Sequence, residues 1–565
     1  MIPLLAQLVA PPLQPGPVRL PDGERFEQRP FREERRPAPA LEGQPETAPS
    51  PDQPPQETPG APGTSLPGTS RMPAVRGVTV YTAEDLQRIL TPCAGIADPG
   101  ERLQACGEAL RKRLLADGYV SSRVLVEDTP LPGSIEVVEG RIVEVRVEGG
   151  ASRIQRRVER MLTPLRGMVL NVGRVERDLQ LLRRVQGVGE VRGRLARLGS
   201  DPAQASLTVT LPEGSPPWQG DQALRNDGND GSGEFRGLLT FLKPSLLVPD
   251  DTLLLYGEVN LSDEGDYGTG IASLSYTLPV ADRLYLTGAF GYTRRNLVEL
   301  PEPLDGLSTS QYQWLGQLEW VFRETLHDRW SVFAGYSASR SNTYLDDRAL
   351  PSLLPETLRR PTSGYLRIGV NGRGIADRFV WGGTAYLLQG IAAATPSTQR
   401  RELAGIGIDP GKATALGGVL TTSWGFAPSW QLNLRTAGQI SFEPLTSPMQ
   451  FILGSDVGLR GLPGQLISGD DGWLGTGEVV WTFWQQRQQA LQLVPFIGVG
   501  WVRSEIADVS FEDTVGAGGV LVRWLAGNWE TELGWVEQFS EDDNLGVWQD
   551  WALGDGLYAS LRYRF

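Results

Sequence analysis

Residues 557–565 read LYASLRYRF, and apolar and polar side chains alternate along this stretch. A repeat of two is the repeat of a β-strand whose two faces meet different surroundings, whereas a helix would repeat every 3.6 residues. One face carries Leu557, Ala559, Leu561, Tyr563 and Phe565, and the other carries Tyr558, Ser560, Arg562 and Arg564. The stretch therefore predicts a strand that runs to the last residue, with Tyr563 and Phe565 as an aromatic C-terminal barrel signal.

The same alternation extends upstream to about residue 218. It is clear in RLYLTGAFGYT (283–293), QWLGQLEWVF (313–322) and WQLNLRTAGQISF (430–442). A soluble all-β protein would alternate as well, but many of these segments begin or end in Trp or Tyr, as the aromatic girdles of a membrane barrel do. Long polar insertions also alternate with short turns such as PVADR (279–283). At roughly 20–22 residues per strand and loop, residues 218–565 predict a transmembrane antiparallel β-barrel of about sixteen strands.

The composition of the 565 residues excludes several classes of function. The formal net charge is −14, which argues against a nucleic-acid partner. A single histidine (His327) and two cysteines leave no set of residues for nucleophilic or metal chemistry, so we expect no enzyme activity, no cofactor and no metal. No run of about 18 apolar residues occurs, so a helical membrane span is not expected.

Residues 1–73 are predicted to be an N-terminal segment followed by a linker. The start, MIPLLAQLVAPPLQPG, is either an unstructured apolar segment or the end of a signal peptide whose start codon lies further upstream. From about Pro11 to Ser70 the chain is rich in Pro, Glu, Gln, Ser and Gly. Such a composition buries too little apolar surface to fold, so we expect a disordered, extended linker.

Between the linker and the barrel, two modules repeat the same order of elements. Residues 74–144 read as strand, helix, helix, strand, strand, with Thr82 as the N-cap of the first helix. Residues 145–214 repeat this order. The second module is dense in arginine, at Arg153, Arg156, Arg157, Arg160, Arg183 and Arg184. These arginines indicate either a solvated helix face or a surface for an acidic or extended polypeptide, which a small sheet can capture by strand addition.

The loop between two of the predicted barrel strands, GSDVGLRGLPGQLISGDDG (454–472), contains one arginine among many glycines. Together with two modules, a barrel and an aromatic last residue, this loop resembles the two-partner secretion transporters of the haemolysin/haemagglutinin secretion/activation family. That family belongs to the superfamily of outer-membrane barrels with polypeptide-transport-associated (POTRA) modules. The resemblance covers residues 75–565, and rests on GYVSSRVLVEDTPLPGSIEVVEGRIVEVRVEG (118–149) in the modules and on GLRGLPGQLISGDDGWLGTGEV (458–479) in the barrel.

The resemblance implies that the loop folds into the lumen and that its arginine pairs with a carboxylate on the inner wall. Leu459, Arg460, Gly461 and Leu462 match the motif, with Leu459 where valine is usual and Leu462 where an aromatic residue is usual. Gly498 stands where the family has the pairing aspartate. A guanidinium in a partly dry lumen needs a planar acceptor, and acids at the end of the loop or on the strand that leaves it could take that part. These are Glu478, Asp470 and Asp471.

The implied function is an outer-membrane pore that translocates an unfolded partner protein to the cell surface. Its POTRA modules would lie in the periplasm and bind the N-terminal secretion domain of the exoprotein. Lipid, lipopolysaccharide and the barrel-assembly machinery are the other expected partners. Two alternatives remain: a barrel-assembly factor, although such proteins generally carry three or more modules, and a general porin. In an oxidising periplasm, Cys93 and Cys106 either form a disulfide or remain two buried thiols.

Overall fold

The computed structural model describes residues 41–42, 64–66, 72–129, 133–183, 185, 187–198, 201, 203–228, 233–263, 265–296, 306–376, 378–462, 467–506, 509–538 and 556–565. The chain divides into two compact units. One unit contains the described residues from 41 to 216, and the other contains those from 217 to 565. The N-terminal segment 1–16, for which two interpretations were given above, lies outside the described residues.

The first module is a four-stranded sheet with two helices. Its elements are β2 (Thr64–Leu66), β3 (Ala74–Val78), α1 (Ala83–Leu90), α2 (Pro99–Ala116), β4 (Arg123–Glu127) and β5 (Ser134–Val138), with strand order β2-β3-β5-β4. The helix α1 begins at Thr82, whose hydroxyl accepts from the backbone N–H of Asp85 while the Asp85 carboxylate accepts from that of Thr82. Leu86, Leu103 and Leu110 are buried between the helices and the sheet. The apolar periodicity of the helices therefore forms the core of this module.

The second module repeats this architecture. Its elements are β1 (Leu41–Glu42), β6 (Arg141–Glu148), α3 (Ser152–Leu162), α4 (Val172–Arg183), β7 (Arg192–Arg197) and β8 (Gln204–Thr210), with strand order β1-β7-β8-β6. In each sheet, one strand of the module thus pairs with a short strand from the linker: β3 with β2, and β7 with β1. The linker was predicted to lack secondary structure, and at β1 and β2 this prediction is wrong, because both segments find an open sheet edge.

Sixteen of the described strands close into an antiparallel barrel, as the alternation predicted. They are β9 (Gln219–Arg225), β10 (Phe235–Pro244), β11 (Thr252–Leu261), β12 (Tyr267–Ala281), β13 (Leu284–Asn296), β14 (Leu307–Glu324), β15 (Asp328–Leu345), β17 (Thr362–Ala376), β18 (Phe379–Gly390), β19 (Thr414–Ala427), β20 (Trp430–Ser441), β23 (Asp471–Gln486), β24 (Gln489–Ile506), β25 (Val509–Ala526), β26 (Trp529–Gln538) and β27 (Leu557–Arg564). The two-residue strand β16 (Arg348–Ala349) pairs antiparallel with the end of β15, and β21 (Phe451–Leu453) and β22 (Ile467–Gly469) form a small separate sheet. Two short helices, α5 (Glu356–Arg359) and α6 (Ser397–Ala404), lie in the longer loops.

The barrel closes by pairing its first strand with its last. Five residue pairs join β9 and β27, from Arg225↔Ser560 to Asp221↔Arg564. The backbone of Phe565 exchanges hydrogen bonds of 3.1 and 3.0 Å with Gly220. The Phe565 ring also lies 5.4 Å from that of Phe241 on β10, so the last residue contacts both β9 and β10.

Aromatic side chains on the outer surface cluster near the short turns. The Trp430 and Trp481 rings stack at 5.3 Å, and Trp424 and Phe426 lie 5.7 Å apart. Such rings are typical of the boundary between lipid and water. Among the described residues, no helix is both long and apolar enough to cross a membrane.

Candidate functional site: an arginine loop inside the barrel

The loop between β20 and β23 packs against the inner wall of the barrel. Leu453, Leu459 and Leu462 are fully buried in one apolar cluster with inward-facing residues of β23 to β27, such as Leu474 and Val536. Neighbouring residues of the same strands, for example Trp535 at 56 % exposure, face outward. Burial of three leucines holds the described part of the loop in the lumen.

Arg460 contacts two carboxylates from different strands. Its Nη1 lies 3.1 and 3.2 Å from the carboxylate oxygens of Glu532 on β26. Its Nη2 lies 3.4 Å from a carboxylate oxygen of Glu478 on β23. The guanidinium also lies 5.7 Å from the ring centre of Phe496 on β24. Arg460 is 8 % exposed, so these contacts compensate a charge that is largely removed from water.

The arginine belongs to a cluster in which the charges balance. Nε of Arg523 donates to Glu532 at 2.6 Å and lies 3.9 Å from Glu530, and Nη2 of Arg564 donates to Glu530 at 2.7 Å. With Arg460 and Glu478, the cluster therefore contains three guanidinium groups and three carboxylates. Each of these guanidinium groups therefore lies beside a carboxylate, and the wall compensates the charge of the loop arginine.

The space beside Gly498 is filled by an apolar side chain. A Cβ atom at Gly498 would lie 3.0 Å from Cδ2 of Leu459 and 3.2 Å from Cγ2 of Thr476. At Gly500, a Cβ would lie 2.6 Å from Cδ2 of Leu453. Gly498 and Gly500 have no side chains, so β24 has a shallow depression there, which Leu459 and Leu453 of the loop fill. Leu459 and Gly498 are structurally linked, because the leucine side chain occupies the space that a side chain at position 498 would need.

Gly461 permits the turn that follows the arginine. Its φ is +85°, a conformation that side chains with a Cβ rarely adopt. A Cβ there would also lie 2.4 Å from Cγ1 of Val536, so the loop approaches β26 too closely for any other residue.

The start of the loop is attached to the other side of the barrel closure. Nη1 of Arg236 on β10 donates to the Ser455 hydroxyl at 3.1 Å, while its Nε donates to Glu258 at 2.9 Å. The loop thus contacts β10 through Ser455 and β26 through Arg460. It bridges the two strands that flank the closing pair β27 and β9.

The sequence-predicted acids have different positions. Glu478 lies beside Arg460 and also accepts from Nδ2 of Asn433 at 2.7 Å. Asp470 instead accepts from Nε2 of Gln450 at 3.1 Å, and Asp471 accepts from the backbone and hydroxyl of Ser441. These two acids therefore stabilise the base of the loop and do not reach the arginine. Sequence reasoning missed Glu532, although it lies on the inward face of TELGW (531–535), where the alternation could have marked it.

The remaining predicted site residues lie in the modules. Cys93 and Cys106 form a disulfide with Cα atoms 5.4 Å apart. Of the arginines in the second module, Arg156 is exposed and Arg157 is buried. Arg183 donates to the backbone carbonyl of Val191 at 2.9 Å. Arg184 lies outside the described residues. The arginines of α3 thus differ in exposure, and both interpretations given for them stay predictions.

Comparison with known proteins finds a group with this architecture. A family model described as haemolysin secretion/activation protein ShlB/FhaC/HecB matches residues 204–521, more than half of the chain. The outer membrane transporter CdiB of Escherichia coli O6:K15:H31 (strain 536 / UPEC) is 26% identical over 463 residues, 77% of this chain and 72% of that protein. The CdiB of Dickeya dadantii (strain 3937) is 24% identical over 394 residues, 65% of this chain and 64% of that protein.

Solved structures support the same fold. The structure of CdiB from Escherichia coli matches with a TM-score of 0.56 at 18% identity, over 91% of this chain and 93% of that one. The structure of CdiB from Acinetobacter baumannii matches with a TM-score of 0.53 at 16% identity, over 87% and 89%.

Proposed function

The chain belongs to the family of haemolysin secretion/activation proteins ShlB/FhaC/HecB, and from this premise we propose that it binds one partner protein in the periplasm and translocates it unfolded to the cell surface. Members of this family are two-partner secretion transporters of the outer membrane, with their modules in the periplasm. The partner docks through its N-terminal secretion domain on the two modules and then passes through the barrel. The polypeptide moves as an extended chain, because a sixteen-strand barrel encloses an aqueous channel but no space for a folded domain.

The observation that carries this proposal is the arginine loop in the lumen. The described part of the loop is held by ion pairs, hydrogen bonds and apolar side chains, and none of the sixteen barrel strands includes it. Such contacts can be broken and re-formed without opening the barrel wall. The loop is therefore suited to be a movable occupant that gives way to the partner chain.

The direction of transport comes from the partner itself. The outer membrane offers no ATP and no membrane potential, so folding of the exoprotein outside the cell supplies the free energy. In this mechanism the transporter binds the partner and provides the pore, and it catalyses no chemical reaction.

Deletion of the gene, followed by mass spectrometry of the culture medium and the outer membrane, tests the proposed function. We expect the loss of one secreted protein. A broad loss of outer-membrane proteins would instead identify an assembly factor. Loss of small-solute uptake with normal secretion would identify a porin.

Removal of the modules separates docking from barrel formation. We expect that deletion of residues 74–213 abolishes secretion of the partner, because the docking surface is lost, but leaves a barrel that still shifts on unboiled gels. Secretion by the deletion variant would show that the modules are not the docking site.

A further inference from the structure

One arginine of the barrel wall lies on the outer face. Along β15, Val332 and Tyr336 are exposed on the outside of the barrel, whereas Ser337 and Ser339 are buried on the lumen side. Arg340 belongs to the outward set, because it is separated from Tyr336 by an even number of residues, and its side chain is exposed. The surface that faces lipid therefore carries a guanidinium at this point.

Arg340 lies at the height where the hydrocarbon region of the membrane ends. The modules lie in the periplasm, so the chain enters the barrel at its periplasmic end, and β15, the seventh of the sixteen strands, runs toward the cell surface. Near the start of β15 the ring of Trp330 lies 5.2 Å from that of Trp381, as in the periplasmic aromatic girdle of a barrel. Arg340 follows ten residues later, which is about 33 Å of strand and, at a tilt of about 40°, about 25 Å of height. The apolar band of an outer-membrane barrel has this height, so the guanidinium lies in the headgroup layer of the outer leaflet.

A surface loop brings two more arginines to the same place. Thr362 on β17 is paired with Arg340, and its backbone N–H donates to Oε1 of Gln399 in α6 at 2.9 Å. Nε2 of Gln399 donates to the backbone carbonyl of Arg360 at 2.8 Å. Gln399 is only 2 % exposed, so these hydrogen bonds fix α6 beside the ends of β15 and β17. Arg360 and Arg400 are both exposed, and each lies within one residue of these hydrogen bonds.

The loop that carries α6 lies against the outer face of the wall. Gly364 on β17 belongs to the outward set, since Leu366 two residues later is exposed to the outside. A Cβ atom at Gly364 would lie 2.7 Å from the hydroxyl oxygen of Tyr336 and 2.8 Å from Cβ of Ala394, which precedes α6. The loop therefore approaches Arg340 from the lipid side.

No carboxylate of the described chain compensates the three guanidinium groups. Arg340, Arg360 and Arg400 form no ion pair with any described residue. The acid of α6, Glu402, already accepts from two backbone N–H groups of α5, at 2.9 and 2.8 Å. Exposed guanidinium groups without an acid of their own are suited to phosphate, to which each can donate two parallel hydrogen bonds.

We propose that Arg340, Arg360 and Arg400 bind the phosphate groups of lipopolysaccharide, and that its acyl chains pack on outward side chains below them, such as Leu366 and Ile368. Lipopolysaccharide is the phosphorylated glycolipid of the outer leaflet, so it presents its phosphates at the height of Arg340 and its acyl chains beneath. The bound lipid holds α6 at the membrane surface. This site does not involve the secreted partner, and the proposal goes beyond the proposed function.

Native mass spectrometry of the full-length protein in detergent tests the proposal. The protein is titrated with deep-rough lipopolysaccharide, which carries the two phosphates of lipid A. The variant Arg340→Gln/Arg360→Gln/Arg400→Gln removes three exposed cations and no ion pair, so its barrel should shift on unboiled gels as the wild type does. Each cation at an anionic lipid surface contributes roughly fivefold in affinity, so we expect this triple variant to bind roughly 100-fold more weakly.

A second triple variant is the matched control. Arg283→Gln/Arg378→Gln/Arg487→Gln makes the same chemical change in three short turns at the periplasmic end of the barrel. We expect it to bind deep-rough lipopolysaccharide as tightly as the wild type. Equal weakening in both triple variants would show that only the overall charge matters, and unchanged binding by the first would show that its arginines are not the site; either result overturns the proposal.

Competition on the wild type identifies the ligand without any variant. The competitors are lipid A without phosphates, phosphatidylglycerol and inorganic phosphate, and we expect deep-rough lipopolysaccharide to bind at least tenfold more tightly than each of them. Equal binding of lipid A without phosphates would show that the acyl chains alone are recognised. Equal binding of phosphatidylglycerol would indicate a general surface for anionic lipids, and equal binding of inorganic phosphate would indicate a site for the free ion. Each of these results overturns the proposal and leaves the proposed function untouched.

Discussion

Replacement of Glu532 by glutamine should release the arginine loop from the barrel wall. Glu532 is the carboxylate that Arg460 and Arg523 share, at 3.1 and 2.6 Å respectively. Glutamine has nearly the same shape, so the substitution removes a charge and leaves the packing intact. Arg460 then retains only Glu478, at 3.4 Å, and two buried guanidiniums face a neutral amide.

The expected change in the free energy of loop release follows from the burial of the three charged side chains. The side chains of Arg460, Arg523 and Glu532 are 8, 2 and 7 % exposed, so water compensates little of the lost attraction. Removing one partner of a buried ion pair costs about 3–5 kcal/mol. At about 1.4 kcal/mol per tenfold, the equilibrium between the seated and the released loop shifts by roughly 100- to 4,000-fold. Glu478→Gln should shift it by roughly tenfold, because Glu532 still holds the arginine.

Single-channel recording in planar bilayers measures this shift. We expect small, flickering conductance for the wild type and a larger open fraction for Glu532→Gln and Arg460→Ala, since release of the loop widens the lumen. In the double variant Arg460→Ala/Glu532→Gln, the free energy of loop release should change by less than the sum of the two single changes. The reason is that the double variant leaves fewer uncompensated charges.

Glu505→Gln is the matched control. It makes the same chemical change in the exposed pair of Arg503 and Glu505, whose side chains are 46 and 68 % exposed. Such a pair is worth only about 0–1 kcal/mol, so the conductance should remain that of the wild type. Large, steady conductance that none of these substitutions changes would refute the reasoning, and would favour an open porin.

Three further predictions concern other contacts. Cys93→Ser/Cys106→Ser removes a disulfide between cysteines 13 residues apart and should destabilise the first module by about 3 kcal/mol. The backbone amides of α2 should then exchange hydrogen faster, and unchanged exchange would exclude a stabilising role of the disulfide. Gly498→Asp restores the family's acid but collides with Leu459, so it should increase the open fraction, and Leu459→Val in addition should reverse this; failure of that reversal would contradict the shared seat. Deletion of Phe565 removes two hydrogen bonds to Gly220 and should lower the yield of barrel that shifts on unboiled gels, whereas Tyr563→Phe should not; equal yields would contradict a closing role.

The barrel could be predicted from the sequence because its signal is local. Each strand has one face toward lipid and one toward the lumen, so the alternation in LYASLRYRF is set by the surroundings of single residues. The helices of the modules could be predicted for the same reason, since their buried faces repeat every three or four residues.

The acceptor of Arg460 could not be predicted in this way. Glu532 lies 72 residues from Arg460 in sequence, and their contact depends on the register of four successive strands and on the path of the loop. The sequence suggested acids at the end of the loop and on the strand that follows it, but Asp470 and Asp471 bind at the base of the loop. The strands β1 and β2 of the linker could not be predicted from the sequence for a related reason. Leu41 and Glu42 pair only because β7, about 150 residues downstream, offers an edge.

The presence of two acceptors for one arginine has an evolutionary consequence. With Glu532 and Glu478 both beside Arg460, Glu478 can be lost by mutation while Glu532 still holds the loop. A carboxylate on one strand can therefore disappear while the charge of the arginine stays compensated from another strand. Selection then acts on the distance between the arginine and a carboxylate. The acid at one position of a sequence alignment can therefore be lost while the loop stays attached to the barrel wall.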